Sequence, residues 1–202
     1  MLLRMKFLID GDDSAKRTFI FAHGAGGPMR TPWMTKVAKG LAERGIRVVR
    51  FEFPYMEAKK KAPDREPVLL EAWRDAIRAE GGGVTFVGGK SMGGRMASMV
   101  ADEMNVRGLV CFGYPFHPPG RPDKLRTKHL ETLKTPTLIL QGERDPFGTR
   151  DDVKRYKLSR AITVEFIEDG DHSLKPRASS GKTESENLVR AVELAGEFIK
   201  KT

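Results

Sequence analysis

The chain has 202 residues, with 36 Lys and Arg against 27 Asp and Glu for a net charge of +9, and a single cysteine. That length suits one domain, 1–202, with a buried core; Cys111 alone excludes an internal disulfide, and no apolar run approaches the length of a membrane span. The basic surplus is scattered, with one short run at Lys59, Lys60 and Lys61 and no zinc-ligand spacing, RNA-binding aromatic motif or basic heptad, so neither a nucleic-acid nor a membrane partner is expected.

Residues 5–9 read as a first strand. Arg4 and Lys6 interrupt its apolar positions too early for the core of an export signal, so a cytoplasmic chain is the expectation. A second strand, 18–22, ends in His23-Gly24-Ala25-Gly26-Gly27-Pro28, a turn whose small residues let backbone N–H groups approach a substrate oxygen. The N–H of Ala25 is the candidate oxyanion donor here, and His23 is read as a structural member of the turn. A dinucleotide fingerprint on Gly24 and Gly26 fails, because its third glycine falls at Met29. Helix 31–44 follows, with Thr31 as cap, Pro32 in the first turn and Gly45 just past the end. A third strand, 48–53, and a helix, 66–80, come next.

The strand 84–88 then runs into Gly89-Lys90-Ser91-Met92-Gly93-Gly94 and a helix, 92–104. A serine between two glycines, where a β-branched run turns helical, is the pattern of a nucleophile elbow. The glycines let strand and helix approach while Ser91 sits exposed at the helix N-terminus, where positive partial charge favours a developing anion. The phosphate-loop alternative for Gly89-Lys90-Ser91 fails because it needs a glycine at position 84, which is Val84. The N–H of Met92, directly after the serine, is the second oxyanion donor.

Strand 108–112 is followed by the proline-rich connection 113–136, too short for a large lid and with room for about two helical turns, so the crevice should be shallow and open. Strand 137–141 leads to Asp145, bracketed by Gly142 and Pro146 and suited to orient a catalytic imidazole. A helix, 149–158, and a strand, 163–167, bring the chain to Asp171-His172-Ser173. Of the four histidines only His172 follows Asp145, which fits the order Ser, acid, His; His129 is read as a helix-surface residue. Residues 179–186 read as a polar linker before the last helix, 185–200.

Strands alternating with helices predict an α/β domain with a mainly parallel sheet of about seven strands covered on both faces. Ser91, Asp145 and His172 each follow a different strand at its carboxyl end, where such a sheet opens its ligand crevice. Trp33, Tyr114, Phe116, His117 and Phe147 are candidate pocket residues, and Lys90, Arg95, Arg121 and Lys175 are cations placed to favour an anionic substrate. The chemistry expected is a serine hydrolase of small esters, thioesters or related acyl compounds, with no metal or organic cofactor. An interaction module that keeps the fold without efficient turnover is the rival. Oligomeric state is not legible.

Across nearly its whole length the chain resembles the α/β-hydrolase superfamily. The runs His23-Gly-Ala-Gly-Gly, Gly89-Lys-Ser-Met-Gly-Gly, Gly113-Tyr-Pro-Phe-His-Pro-Pro-Gly, Gln141-Gly-Glu-Arg-Asp-Pro-Phe-Gly and Asp171-His-Ser-Leu-Lys-Pro-Arg are similar to those of a small, lid-poor group, with dienelactone-hydrolase-like enzymes as more distant kin. The resemblance implies eight strands where seven are counted, so the first antiparallel edge strand is the one expected to be missing. Because some relatives are scaffolds, it also implies that turnover is not universal in the group.

Overall fold

The computed structural model describes residues 5–202; residues 1–4, including Arg4, lie outside it. Seven strands form one sheet: β1 (Phe7–Asp10), β2 (Arg17–Ala22), β3 (Arg47–Phe51), β4 (Val84–Lys90), β5 (Gly108–Phe112), β6 (Thr137–Gly142) and β7 (Ile162–Ile167), in the order β1-β3-β2-β4-β5-β6-β7. All neighbours are parallel except β1, which runs antiparallel to β3 with Phe7 opposite Phe51 and Asp10 opposite Val48. The sheet thus keeps an antiparallel edge strand despite having seven strands among the described residues. A buried ion pair fastens that edge: Arg50 on β3 reaches Asp10 at 2.7 Å and also donates to the Met29 carbonyl and to Thr35.

The central strands are apolar on both faces, and successive residues enter two different cores. Ile20, Val49, Val87, Leu109, Cys111 and Ile139 point to one side; Phe19, Phe21, Phe86, Val110, Phe112 and Leu140 point to the other. The first core is closed by α3 (Glu66–Glu80) and α4 (Met92–Val100), the second by α1 (Pro32–Ala42) and α6 (Glu184–Lys201). Each helix buries one stripe, such as Leu69, Ala72, Trp73, Ala76 and Ile77 on α3. Trp73 is wholly buried, stacks edge-on against Phe51 and donates its indole N–H to the Gly93 carbonyl at 3.2 Å. Trp73→Ala is expected to cost about 3–5 kcal/mol of stability, read as a lowered urea midpoint.

The start of α1 follows expectation, while other helices depart from it. Helix α1 is capped by Thr31, whose hydroxyl accepts from the Met34 N–H, and Thr183 makes a reciprocal capping box with Glu186 at α6. Helix α4 is regular only to Val100; its last turn closes at Asn105, with a φ of 50°, through bonds from Val106 N–H to Ala101 and from Asn105 N–H to Asp102. The helix expected over 149–158 shrinks to α5 (Arg150–Val153), because Ser159 binds the Leu130 and Leu133 carbonyls and draws the chain off its helical path. A short α2 (Pro54–Glu57) was not foreseen, and the strand expected to reach Phe53 stops at Phe51 so that Phe53 can cap it. Between β5 and β6 the only helical structure is a single 3₁₀ turn, Lys128–Glu131, and no lid covers the carboxyl ends of the strands. No helix among the described residues is long and apolar enough to cross a membrane.

Candidate active site

The strand order reverses direction between β2 and β4, and the crevice that opens there is bounded by the His23–Gly27 turn on one side and Ser91 on the other. Ser91 joins β4 to α4 with φ 50° and ψ −116°, a conformation that costs a non-glycine residue about 1–3 kcal/mol and is held in place by its surroundings. Its N–H donates to Phe112 and its carbonyl accepts from Arg95. The flanking glycines are needed for packing: a Cβ on Gly93 would lie 2.6 Å from the carbonyl oxygens of both Ala22 and His23, and one on Gly89 2.6 Å from that of Ala22.

Three loops converge at this tip. His172 Nε2 lies 2.7 Å from Ser91 Oγ, and its Nδ1 lies 2.8 Å from Asp145 Oδ2. The carboxylate is fully buried and held from two further directions, Oδ1 accepting from the Phe147 N–H and Oδ2 from Gln141 Nε2, both at 2.9 Å. With Nδ1–H donating to the carboxylate, Nε2 is the acceptor facing the serine hydroxyl, which is the tautomer a general base requires. Phe147 stacks on the imidazole at 4.1 Å between ring centres. The His172 loop is fastened by Asp171, which accepts from the Ser173 and Lys175 N–H groups, and by the Trp33 indole N–H on the Ser173 carbonyl.

Opposite the imidazole, Met92 opens α4 and Ala25 lies in the glycine turn; neither backbone N–H donates a hydrogen bond among the described residues, and both residues line the crevice. His23 fixes that turn. Its Nε2 accepts from the Phe53 N–H at 3.1 Å, so its Nδ1–H donates to the Gly24 carbonyl at 2.7 Å. Burial holds the His23 pKa below the ordinary histidine value of 6.5. Burial, and then repulsion from Arg95, does the same to His129. The two imidazoles bind protons less readily folded than unfolded, so their contribution to stability is complete above pH 6.5 and is lost as pH falls through their lowered folded values. The thermal midpoint is expected to drop as pH falls below 6.5, and the double variant H23Q/H129Q to flatten that slope, as read by calorimetry.

The crevice has two lobes that meet at Ser91, Ala25 and Phe147. One, of about 330 Å³, is lined by Leu69, Met92, Met96, Arg95 and Arg126; the other, of about 490 Å³, by Gly26, Gly27, Trp33, Lys90, His172 and Ser173. A larger cavity of about 670 Å³ lies at the opposite end of the sheet, beside Arg17, Val84 and Thr202, and holds none of these groups.

Of the candidate pocket residues, Trp33 and Phe147 line the crevice, while Tyr114, Phe116 and His117 do not. Tyr114 and Phe116 are wholly buried in the core beneath the site, where their rings pack at 4.8 Å. His117 is buried behind the Phe147 turn, its Nδ1–H on the Pro118 carbonyl. His129 is not a helix-surface group: its Nε2 lies 2.8 Å from Ser98 Oγ and 3.3 Å from the Tyr114 hydroxyl. Lys90 packs over the Trp33 ring and donates to Ser173 Oγ and the His172 carbonyl, and burial lowers its pKa against the pull of Asp145 and Asp171. Arg95 lines the smaller lobe, whereas Arg121 pairs with Asp123 away from it and Lys175 is exposed beyond it. Two residues escaped the sequence analysis. Gln141, the polar end of an otherwise apolar strand, braces Asp145, and Arg126 lines the smaller lobe from an irregular loop that carries no periodic signal. Among the described residues no group of three or more His, Cys, Asp or Glu gathers as a metal site.

A model of the alpha/beta hydrolase domain matches residues 15–200. The chain belongs to the α/β-hydrolase family. Its fold is similar to that of an alpha-beta serine hydrolase homologue from Coxiella burnetii (TM-score 0.72, 20% identity, covering 98% of this chain and 91% of that one). A serine hydrolase without a lid from Xanthomonas campestris is similar (0.72, 19%, 98% and 88%), as is a dienelactone hydrolase from Anabaena variabilis (0.75, 20%, 99% and 93%). At these identities the likeness concerns the fold of the α/β hydrolase. In sequence the chain is 32% identical over 118 residues to ABHD14B of Rattus norvegicus, named as a candidate protein-lysine deacylase. That match covers 54% of this chain and 52% of the relative, so the chain spans about half the length of the curated relative it matches.

Proposed function

We propose that this α/β hydrolase is a serine hydrolase of small carboxylic esters, thioesters or related acyl compounds. The observation that carries the reading is the continuous line from Ser91 Oγ through His172 to the buried carboxylate of Asp145, at 2.7 and 2.8 Å. His172 Nε2 takes the Ser91 proton as Oγ bonds to the acyl carbon. The N–H groups of Ala25 and Met92 receive the negative charge that develops on the carbonyl oxygen, and His172 returns the proton to the leaving oxygen or sulfur as its bond to carbon breaks. Water then repeats the sequence on the acyl-serine and releases the acid. No step draws on a metal or organic cofactor. The rat relative's name supports acyl transfer as the reaction class.

The two lobes receive the two halves of the substrate. Because His172 protonates the leaving group, that group lies in the lobe His172 lines, and the acyl chain lies in the lobe lined by Met92, Met96 and Leu69. A fluorophosphonate reacts rapidly only with an activated serine, so labelling followed by peptide mapping is expected to place the adduct on Ser91. An unlabelled Ser91 in folded protein would instead favour the interaction-module reading.

A further inference from the structure

Arg126 occupies the wall of the acyl lobe in an unusual state for a partly buried arginine. Its guanidinium makes no hydrogen bond or ion pair among the described residues, and both its backbone groups are pinned: its N–H donates to the Phe116 carbonyl and its own carbonyl accepts from the Tyr114 hydroxyl. Tyr114 is in turn anchored through its N–H on Gln141 Oε1, the residue that braces Asp145. The backbone of Arg126 is therefore held at a set place relative to the triad, and its guanidinium reaches into the lobe with its donors unused.

The other charges of the lobe do not neutralise it. Arg95 is committed to Glu66 at 2.8 Å, and its Nε is buried without an acceptor. Asp64, the remaining carboxylate of the lobe, makes no ion pair or hydrogen bond with Arg126, and burial and then the positive charge of Arg95 lower the pKa of Arg126. A partly desolvated guanidinium with open donors, carried on an anchored backbone, matches a carboxylate.

We infer that Arg126 selects acyl groups ending in a carboxylate, so that the preferred substrates are monoesters or monothioesters of short dicarboxylic acids, with the reacting carbonyl at Ser91 and the free carboxylate on Arg126. This rests on the serine-hydrolase reading and names its acyl substrate. The ester bond cleaved and the proton path are those given above; the distal carboxylate stays ionised throughout.

The test compares mono-4-nitrophenyl adipate with 4-nitrophenyl hexanoate, which differ only in carboxylate against methyl at the chain end. Wild type is expected to favour the adipate by about tenfold to a hundredfold in kcat/KM, the scale of a charge-assisted hydrogen bond. Arg126→Gln brings the ratio to near one, Arg126→Lys keeps part of it, and Lys128→Gln, an exposed charge-matched control at 94% side-chain exposure, leaves it intact. Fluorophosphonate labelling of Ser91 with equal turnover of both esters, or a preference that survives in R126Q, overturns this inference and leaves the hydrolase standing. Failure of labelling together with absence of turnover of either ester overturns both.

Discussion

Ser91→Ala is expected to lower kcat/KM on any ester the wild type turns over by about 10⁴-fold or more. The loss follows from removing the atom that bonds to carbon, while the amide donors of Ala25 and Met92 and the two lobes remain to bind substrate. Alanine keeps a Cβ at the positive φ of 50°, so the backbone strain at the elbow is the same in both proteins and the thermal midpoint should be little changed. Hydrolysis of 4-nitrophenyl esters with circular dichroism on the same samples separates chemistry from folding. Activity surviving within tenfold would remove Ser91 from the nucleophile's role.

Asp145→Asn should reduce kcat by about 10³–10⁴-fold through the histidine tautomer. The two carboxylate oxygens face three donors: the Phe147 N–H on Oδ1, and Gln141 Nε2 and His172 Nδ1 on Oδ2. Gln141 cannot turn to accept, because its Oε1 holds the Tyr114 N–H while its amide group also reaches the Tyr114 and Gly148 carbonyls. An asparagine therefore opposes a donor to a donor in either orientation. Pointing its amide nitrogen at the imidazole forces Nδ1 to accept, which leaves a proton on Nε2 facing Ser91. Nitrogen NMR of the imidazole reads that tautomer directly. A variant with wild-type kcat and Nδ1 still protonated would show that the buried acid does not set the state of His172. A stability loss of about 1–3 kcal/mol should accompany the change, as one buried donor loses its acceptor.

The parts of the site carried by local chain geometry were legible before any coordinates. The elbow is a strand, a serine between glycines and a helix, all within one short run, and the steric need for Gly93 is visible in its contact with the Ala22 and His23 carbonyls. The order of Ser91, Asp145 and His172, each just past a strand, transfers to space because parallel strands put their carboxyl ends on one rim. What stayed hidden depends on the direction of side chains across loops. Tyr114 and Phe116 follow the carboxyl end of β5, on the same rim as the site, yet turn inward under it, and nothing in an aromatic residue at a loop root tells these cases apart. Arg126 comes from a connection without period. The helix read over 149–158 starts as expected at its Thr149 cap but ends at Val153, where tertiary bonds from Ser159 to Leu130 and Leu133 take over the chain.

Phe147 touches both halves of the crevice and rests its ring on the imidazole at 4.1 Å. A single side chain on the short turn after Asp145 thus acts as the partition between the compartments and as the backstop against which the His172 ring rests beside Ser91. Trimming it enlarges both compartments at once and loosens the imidazole in the same stroke, so under the proposed reaction substrate range and rate are geared together at this position. Retuning one without the other has to proceed from the outer walls, Trp33 on one side and Leu69 or Met96 on the other, which do not stack on the imidazole.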